Sequence, residues 1–186
     1  MIPSPLNDTP GLYLAKEDFA QCGSHFLLVV EAQHMVSLAQ KFLAAGFHLE
    51  DISGLMVSEG AVSVYHFNHF DEPCRCSILL IAQNGKFPSI ASIYQGAEWH
   101  ERETRDFFGF QYEGNPNFIP LLLADNMVDV HPLAKGASAR ATLATLFSPE
   151  GRKHDIIRKE EGFSLLDAPV KAEESKPVES KGENDA

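Results

Sequence analysis

At 186 residues the chain has the length for one domain with a real core and too little for two comfortable ones. It is 44% apolar and 10% aromatic, and 26 acidic against 15 basic residues give a net charge of −11 at pH 7. With no basic stripe, that balance repels phosphate backbones and argues against nucleic acid as a partner.

The opening MIPSPLNDTPGLYL has no basic segment followed by an apolar run, so it does not read as a secretory signal. The longest apolar stretches, such as SILLIA at 77–82, fall far short of the roughly 18–20 residues a membrane helix needs. Membrane association is therefore expected only through partner subunits. Three cysteines, Cys22, Cys74 and Cys76, do not make a disulfide framework, and the reduced cytoplasm is the natural compartment.

Taken in order, residues 1–10 hold three prolines and read as a flexible arm. HFLLVVEA (25–32) is apolar and partly β-branched, a strand. QHMVSLAQKFLAAG (33–46) switches to helical spacing, with Met35, Leu38, Ala39, Phe42 and Leu43 on one side and Gly46 at the C-cap. Three strands follow: 47–59, ending at Gly60; 61–69, where Val62 and Val64 alternate against Ser63, Tyr65 and Phe67; and 74–83, stopped by Asn84-Gly85. Their short links suit antiparallel neighbours.

The spacing predicts a helix from about Ala97 to Phe108, ended by Gly109, then an extended FQYEG (110–114) and a turn GNPN (114–117). The run from Phe118 to Ala139 is irregular, and a short helix over 139–147 precedes the basic RKHDIIRK (152–159), read as a solvated helix end, with contact to acidic lipid or an acidic partner as the alternative. LDAPVKAEESKPVESKGENDA has almost no large apolar residues. The expected organisation is thus an arm over 1–10, one domain over 11–165 and a disordered acidic tail over 166–186. The fold class is α+β, two layers, with a mostly antiparallel or mixed sheet and helices packed on one face.

The stretch EWHERETRDFFGF, Glu98 to Phe110, is the most unusual, because charges are interleaved with Trp99, Phe107, Phe108 and Phe110. At 100° per residue Glu103 lies about 40° and Asp106 about 20° from Trp99, so the three form one stripe. Arg102 and Phe107 flank it. Glu98–Arg102, Glu101–Arg105 and Arg102–Asp106 are ion pairs four apart. Three readings fit: an exposed helix laced with ion pairs, a protein–protein interface anchored by Trp and Arg, or a free-standing enzyme using the paired carboxylates Glu103 and Asp106.

The residues AEWHERETRDFFGFQYEGNP closely resemble the signature of the 30-kDa subunit family of respiratory complex I (NADH–quinone oxidoreductase). Trp99, Glu101, Arg102, Glu103, Asp106 and Gly109 fall in place, followed by Gly114 and Pro116. The later VHPLAKGA keeps His131, Pro132, Leu133 and Lys135. The likeness extends over roughly 47–135. Three departures stand out: Asn115 replaces the family's usual histidine, Ile119-Pro120 stands where paired arginines are typical, and VHPLAKGA lacks the family's arginine and acid. They make the chain look more like the corresponding subunit of a membrane-bound energy-converting [NiFe] hydrogenase, of the CO-induced or formate hydrogenlyase type. The resemblance implies a non-catalytic accessory subunit with no cofactor of its own, peripheral on the cytoplasmic face of the membrane. Its implied partners are a large catalytic hydrogenase-like subunit and a small iron–sulfur subunit, which would hold the nickel–iron centre and the iron–sulfur clusters. The residues just named would then be partner-interface residues, and NADH–quinone oxidoreductase remains the close alternative.

Outside that signature, Cys74-x-Cys76 with His66 and His69 nearby is the strongest metal-like pattern. Its spacing and the missing fourth cysteine favour buried structural thiols. No histidine pair, phosphate loop or cysteine quartet indicates a hydrolase, nucleotide or iron–sulfur site.

Overall fold

The computed structural model describes residues 1–127, 129–147 and 154–167. In chain order the elements are α1 (Ser4–Asn7), β1 (Tyr13–Lys16), α2 (Phe19–Cys22), β2 (Phe26–Val30), α3 (Ala32–Ala44), β3 (Phe47–Val57) and β4 (Gly60–His69). They continue with β5 (Arg75–Ala82), β6 (Lys86–Pro88), α4 (Ala97–Phe108), β7 (Gln111–Glu113), α5 (Leu143–Phe147) and β8 (Asp155–Lys159). The six-stranded sheet runs β3-β4-β5-β2-β1-β8. Only the β2–β5 pair in it is parallel, so the sheet is mixed and the α+β class holds. Strands β6 and β7 make a separate parallel pair.

Period-two alternation decides which residue meets which layer. Tyr65 and Phe67 on β4, Ile78 and Leu80 on β5, and Leu28 and Val30 on β2 face one cluster with Met35, Leu38 and Phe42 of α3. There the Phe42 and Phe67 rings stack at 4.6 Å between centroids. Leu43, expected on that face, is exposed. The opposite face holds Val62, Val64, Leu79 and Leu27 beneath Leu143, Phe147, Phe163 and Leu166.

Three expectations change. Residues 1–10 are not a loose arm: they contain α1, whose Leu6 is fully buried, and Arg158 Nη2 donates to the Thr9 carbonyl at 2.8 Å. The segment read as a solvated helix end is β8 from Asp155 on, paired antiparallel to β1. A strand gained by such a distant pairing leaves little local pattern. Finally, packing continues past 165, since Leu166 is buried, whereas the tail from 168 lies outside the described residues.

One glycine sets the height of α4 above the sheet. A Cβ on Gly54 would lie 2.7 Å from Phe108 Cδ2 and 3.2 Å from Phe110. Gly54→Ala is expected to lower the unfolding free energy by about 1–3 kcal/mol, the usual range for overpacking. Chemical denaturation reads this directly. A midpoint unchanged from the parent would mean that α4 can lift off β3 freely.

Candidate functional site

Helix α4 ends where the sequence predicts. Gly109 adopts a left-handed φ of 76° and its N–H returns to the Arg105 carbonyl at 2.8 Å. A side chain there would also strike His131, 2.8 Å from the position of a Cβ, so the glycine serves both the cap and a close approach. His131 Nδ1 lies 3.0 Å from the Asp106 carbonyl, and Leu133 N–H donates to the Phe107 carbonyl at 3.0 Å. The open C-terminal carbonyls of the helix are thus met by the segment that follows.

The face turned to the sheet comprises Ala97, Glu101, Thr104 and Phe108, one turn apart. It is small and polar rather than apolar, which is why no clean hydrophobic stripe is visible in the sequence. Glu101 is fully buried: Oε1 accepts from the Ile90 N–H at 2.9 Å, and Oε2 accepts from Ser89 Oγ and Asn115 Nδ2, each at 2.7 Å. Burial pushes its carboxyl above the usual glutamate range, against those three donors and with help from Glu98. The Thr104 hydroxyl meets the Tyr112 hydroxyl at 3.1 Å, and that hydroxyl meets Ser63 Oγ at 2.8 Å. These polar groups are satisfied as a network.

The other buried charges hold a loop. Arg102, 7% exposed, donates from Nε to the Ile119 carbonyl at 3.0 Å and from Nη2 to the Pro120 carbonyl at 2.9 Å. Its Nη1 reaches Glu98 at 3.2 Å. Asp106, 2% exposed, takes three consecutive backbone N–H groups on Oδ2: Leu121 at 2.9 Å, Leu122 at 2.8 Å and Leu123 at 3.1 Å. Its Oδ1 pairs with Arg105 at 3.1 Å. Burial by itself would raise the Asp106 carboxyl, but the three N–H groups and Arg105 outweigh it and hold the group below the ordinary aspartate range.

The helical stripe is therefore split. The segment after Ile119 crosses the helix and covers Asp106, while Trp99 (63% exposed) and Glu103 stay in solvent. Of the three expected ion pairs only Glu98–Arg102 is formed: Glu101 is taken by Ser89, Ile90 and Asn115, Arg105 turns to Asp106, and the other donors of Arg102 go to loop carbonyls. Glu103 and Asp106 do not share a pocket: one is exposed, the other enclosed. The depression at the helix end, among Arg105, Glu113, Phe118, Asp129 and His131, is lined by neither. Gly114 takes a left-handed φ of 96° after β7, and Pro116, Pro132, Leu133 and Lys135 are all exposed. Asn115 was legible only as a departure from the family pattern; its role as a donor to buried Glu101 shows only in three dimensions.

Several large apolar side chains lie on the outer surface of this arrangement, among exposed Asn117, Asn126 and Asp129. Ile119, Leu122, Val130 and Leu133 are 45–59% exposed on the segment that Arg102, Asp106 and His131 hold against α4, close in sequence to the helix that bears Trp99.

Comparison with known proteins bears on this region directly. The family model described as respiratory-chain NADH dehydrogenase, 30 kDa subunit, matches residues 28–142, from β2 to the start of α5. The C/D subunit of NADH-quinone oxidoreductase from Buchnera aphidicola subsp. Baizongia pistaciae (strain Bp) is 37% identical over 95 residues, which is 50% of this chain but 16% of that protein. The chain thus spans about a sixth of the length of that relative. A chain in the structure of a membrane-bound sulfane sulfur reductase, an archaeal respiratory membrane complex, superposes with a TM-score of 0.55 at 22% identity. That match covers 65% of this chain and 74% of the other. A trypsin-resistant fragment of Nqo5 gives a TM-score of 0.46 at 22% identity, over 50% of this chain and 81% of the fragment. With the family model matching well over half of its length, this chain belongs to the 30 kDa subunit family of the respiratory-chain NADH dehydrogenase.

Proposed function

We propose that the chain is a non-catalytic accessory subunit of a membrane-associated oxidoreductase complex, docking through α4 and the loop over 115–133 onto the large catalytic subunit. The observation that carries this reading is the exposure of Ile119 and Leu122 on backbone that buried Arg102 and Asp106 tie to α4, the helix that also presents exposed Trp99. Exposed apolar side chains on backbone already tied down suit a stable interface, because little conformational freedom is lost on docking. Glu101, Arg102 and Asp106 then act as the frame of the interface, and Trp99, Ile119 and Leu122 as its contact surface.

Among the described residues no helix is long and apolar enough to cross a membrane. In this reading the chain sits on the cytoplasmic face, attached through partner subunits. The nickel–iron centre and iron–sulfur clusters would sit in the large and small partner subunits rather than here. Asn115 and the Ile119-Pro120 pair favour an energy-converting [NiFe] hydrogenase over a true NADH–quinone enzyme. The test is a tagged pull-down from gently solubilised native membranes, with metal and flavin analysis of the captured subunits. Nickel with iron is expected; flavin and iron without nickel would instead assign the complex to the NADH-linked type. Trp99→Ala is expected to weaken capture roughly 30-fold, about 2 kcal/mol, without lowering the chain's own stability. Recovery of a lone chain from intact membranes would overturn the docking role.

A further inference from the structure

The Cys74-x-Cys76 pattern has no place in the docking surface, and its geometry is specific. Cys76 begins the apolar run of β5 and is fully buried, whereas Cys74 is half-buried in the β4–β5 hairpin, one residue before the ladder. Their sulfurs lie 3.9 Å apart. Cys74 also lines an open depression floored by Phe26 and Phe47 and edged by Lys16, His25 and His69, so small solutes reach it while Cys76 stays enclosed. Among the described residues no group of three or more His, Cys, Asp or Glu could hold a metal ion.

We propose that Cys74 and Cys76 form a thiol redox pair, in which Cys74 is oxidised by a small peroxide and Cys76 resolves the product as an intrachain disulfide. The Cys74 thiolate attacks one oxygen of the peroxide O–O bond, giving Cys74 sulfenic acid and releasing hydroxide. The Cys76 sulfur then attacks the sulfenic sulfur. The S–S bond forms, the S–O bond breaks, and the Cys76 proton leaves with the departing hydroxyl as water. Both cysteines end oxidised by one electron each and the peroxide is reduced by two. A Cys76 thiol that donates to Cys74 Sγ favours the thiolate on the accessible sulfur, and burial opposes it; the balance lies below the ordinary thiol range, while Cys76 is pushed up. Cys74 lies one residue before the paired register and is tied to β4 by a single bond, from the His69 N–H to its carbonyl at 3.1 Å, so the sulfurs can close from 3.9 Å to about 2.05 Å by a shift at that one bond with the register from Arg75 on kept.

The test treats the reduced full-length chain with limiting hydrogen peroxide, alkylates what remains and maps the peptides. The expected product is a 74–76 peptide that has lost two hydrogens, resists alkylation and regains it after dithiothreitol. In Cys76→Ala, which keeps an apolar side chain at the buried position, Cys74 should instead be trapped by dimedone as the sulfenic acid. Without peroxide, Cys74 should alkylate at least about tenfold faster than Cys76 in the native chain. Recovery of both as thiols at a peroxide dose that oxidises Cys22 would overturn the proposal. So would a disulfide from either of them to Cys22, or a stable Cys74 sulfenic acid in the parent.

Discussion

Asp106→Ala is expected to lower the unfolding free energy by about 3–5 kcal/mol, a large fraction of what holds a domain of this size together. One carboxylate oxygen serves three consecutive N–H groups, from Leu121, Leu122 and Leu123, and the other oxygen holds Arg105. Alanine leaves the three donors without an acceptor and the guanidinium without its carboxylate. Asp106→Asn is milder, about 1–2 kcal/mol, because an amide oxygen still accepts but without charge. Urea denaturation at neutral pH measures both, and hydrogen exchange at Leu121–Leu123 localises the damage. Fast exchange there in the alanine variant, with β4 and β5 still protected, is the expected pattern. Uniform loss across the sheet would instead mean that the loop and the sheet unfold as one unit.

The same residue predicts an acid limb. Its folded carboxyl is held below the ordinary range, so its contribution is fully present above the unfolded value of about 3.9. It is lost as pH falls through the lower folded value. Asp106→Asn should remove this part of the acid sensitivity.

How much of this could be read in the sequence depends on the range of the interaction involved. Strands β2 to β5 and helix α3 are written locally: alternation in β4 and 3.6-residue spacing in α3 put Phe67 and Phe42 where they stack. Strand β1, four residues long, is held between β2 and β8, and strand β8, with Ile156 and Ile157 exposed, exists because it pairs with β1 across the chain. Neither has a local pattern to find. The site divides the same way. Spacing placed Trp99, Glu103 and Asp106 on one stripe, and the glycine gave the end of the helix. That an irregular segment would cross the stripe, bury Asp106 and leave Trp99 outside depended on backbone N–H groups some fifteen residues away, which have no signature in a sequence. The same holds for Glu101, whose partners Ser89, Ile90 and Asn115 come from both sides of the helix.

Glu101 and Asp106 should respond to pH with opposite signs, although they lie on one helix. Asp106 receives enough donors to overcome its burial; Glu101, with three donors and no cation, does not, and its folded carboxyl is raised. For a raised acid the protonated form is favoured in the fold. Its stabilising contribution is therefore greatest at low pH and falls as pH rises from about 4.3 through the folded value. Glu101→Gln fixes the group in a neutral state. Its carbonyl still accepts from the Ile90 N–H and its amide donates to Ser89 Oγ, while Asn115 keeps its bonds to the Asn117 N–H and the Glu98 carbonyl and gives up only the one to residue 101. The variant is expected to stay within about 1 kcal/mol of the parent at pH 7 and to lose this slope, whereas Glu101→Ala, with three donors orphaned, should cost about 2–4 kcal/mol at every pH. Urea midpoints between pH 4 and 8 separate the cases. If glutamine proves as damaging as alanine throughout, the ionised carboxylate is what the three donors require, and the frame beneath the docking loop is held by charge at both ends. If glutamine is tolerated, only Asp106 and Arg102 need their charge, and Glu101 serves as a neutral hydrogen-bonding peg between α4 and the segment that precedes it.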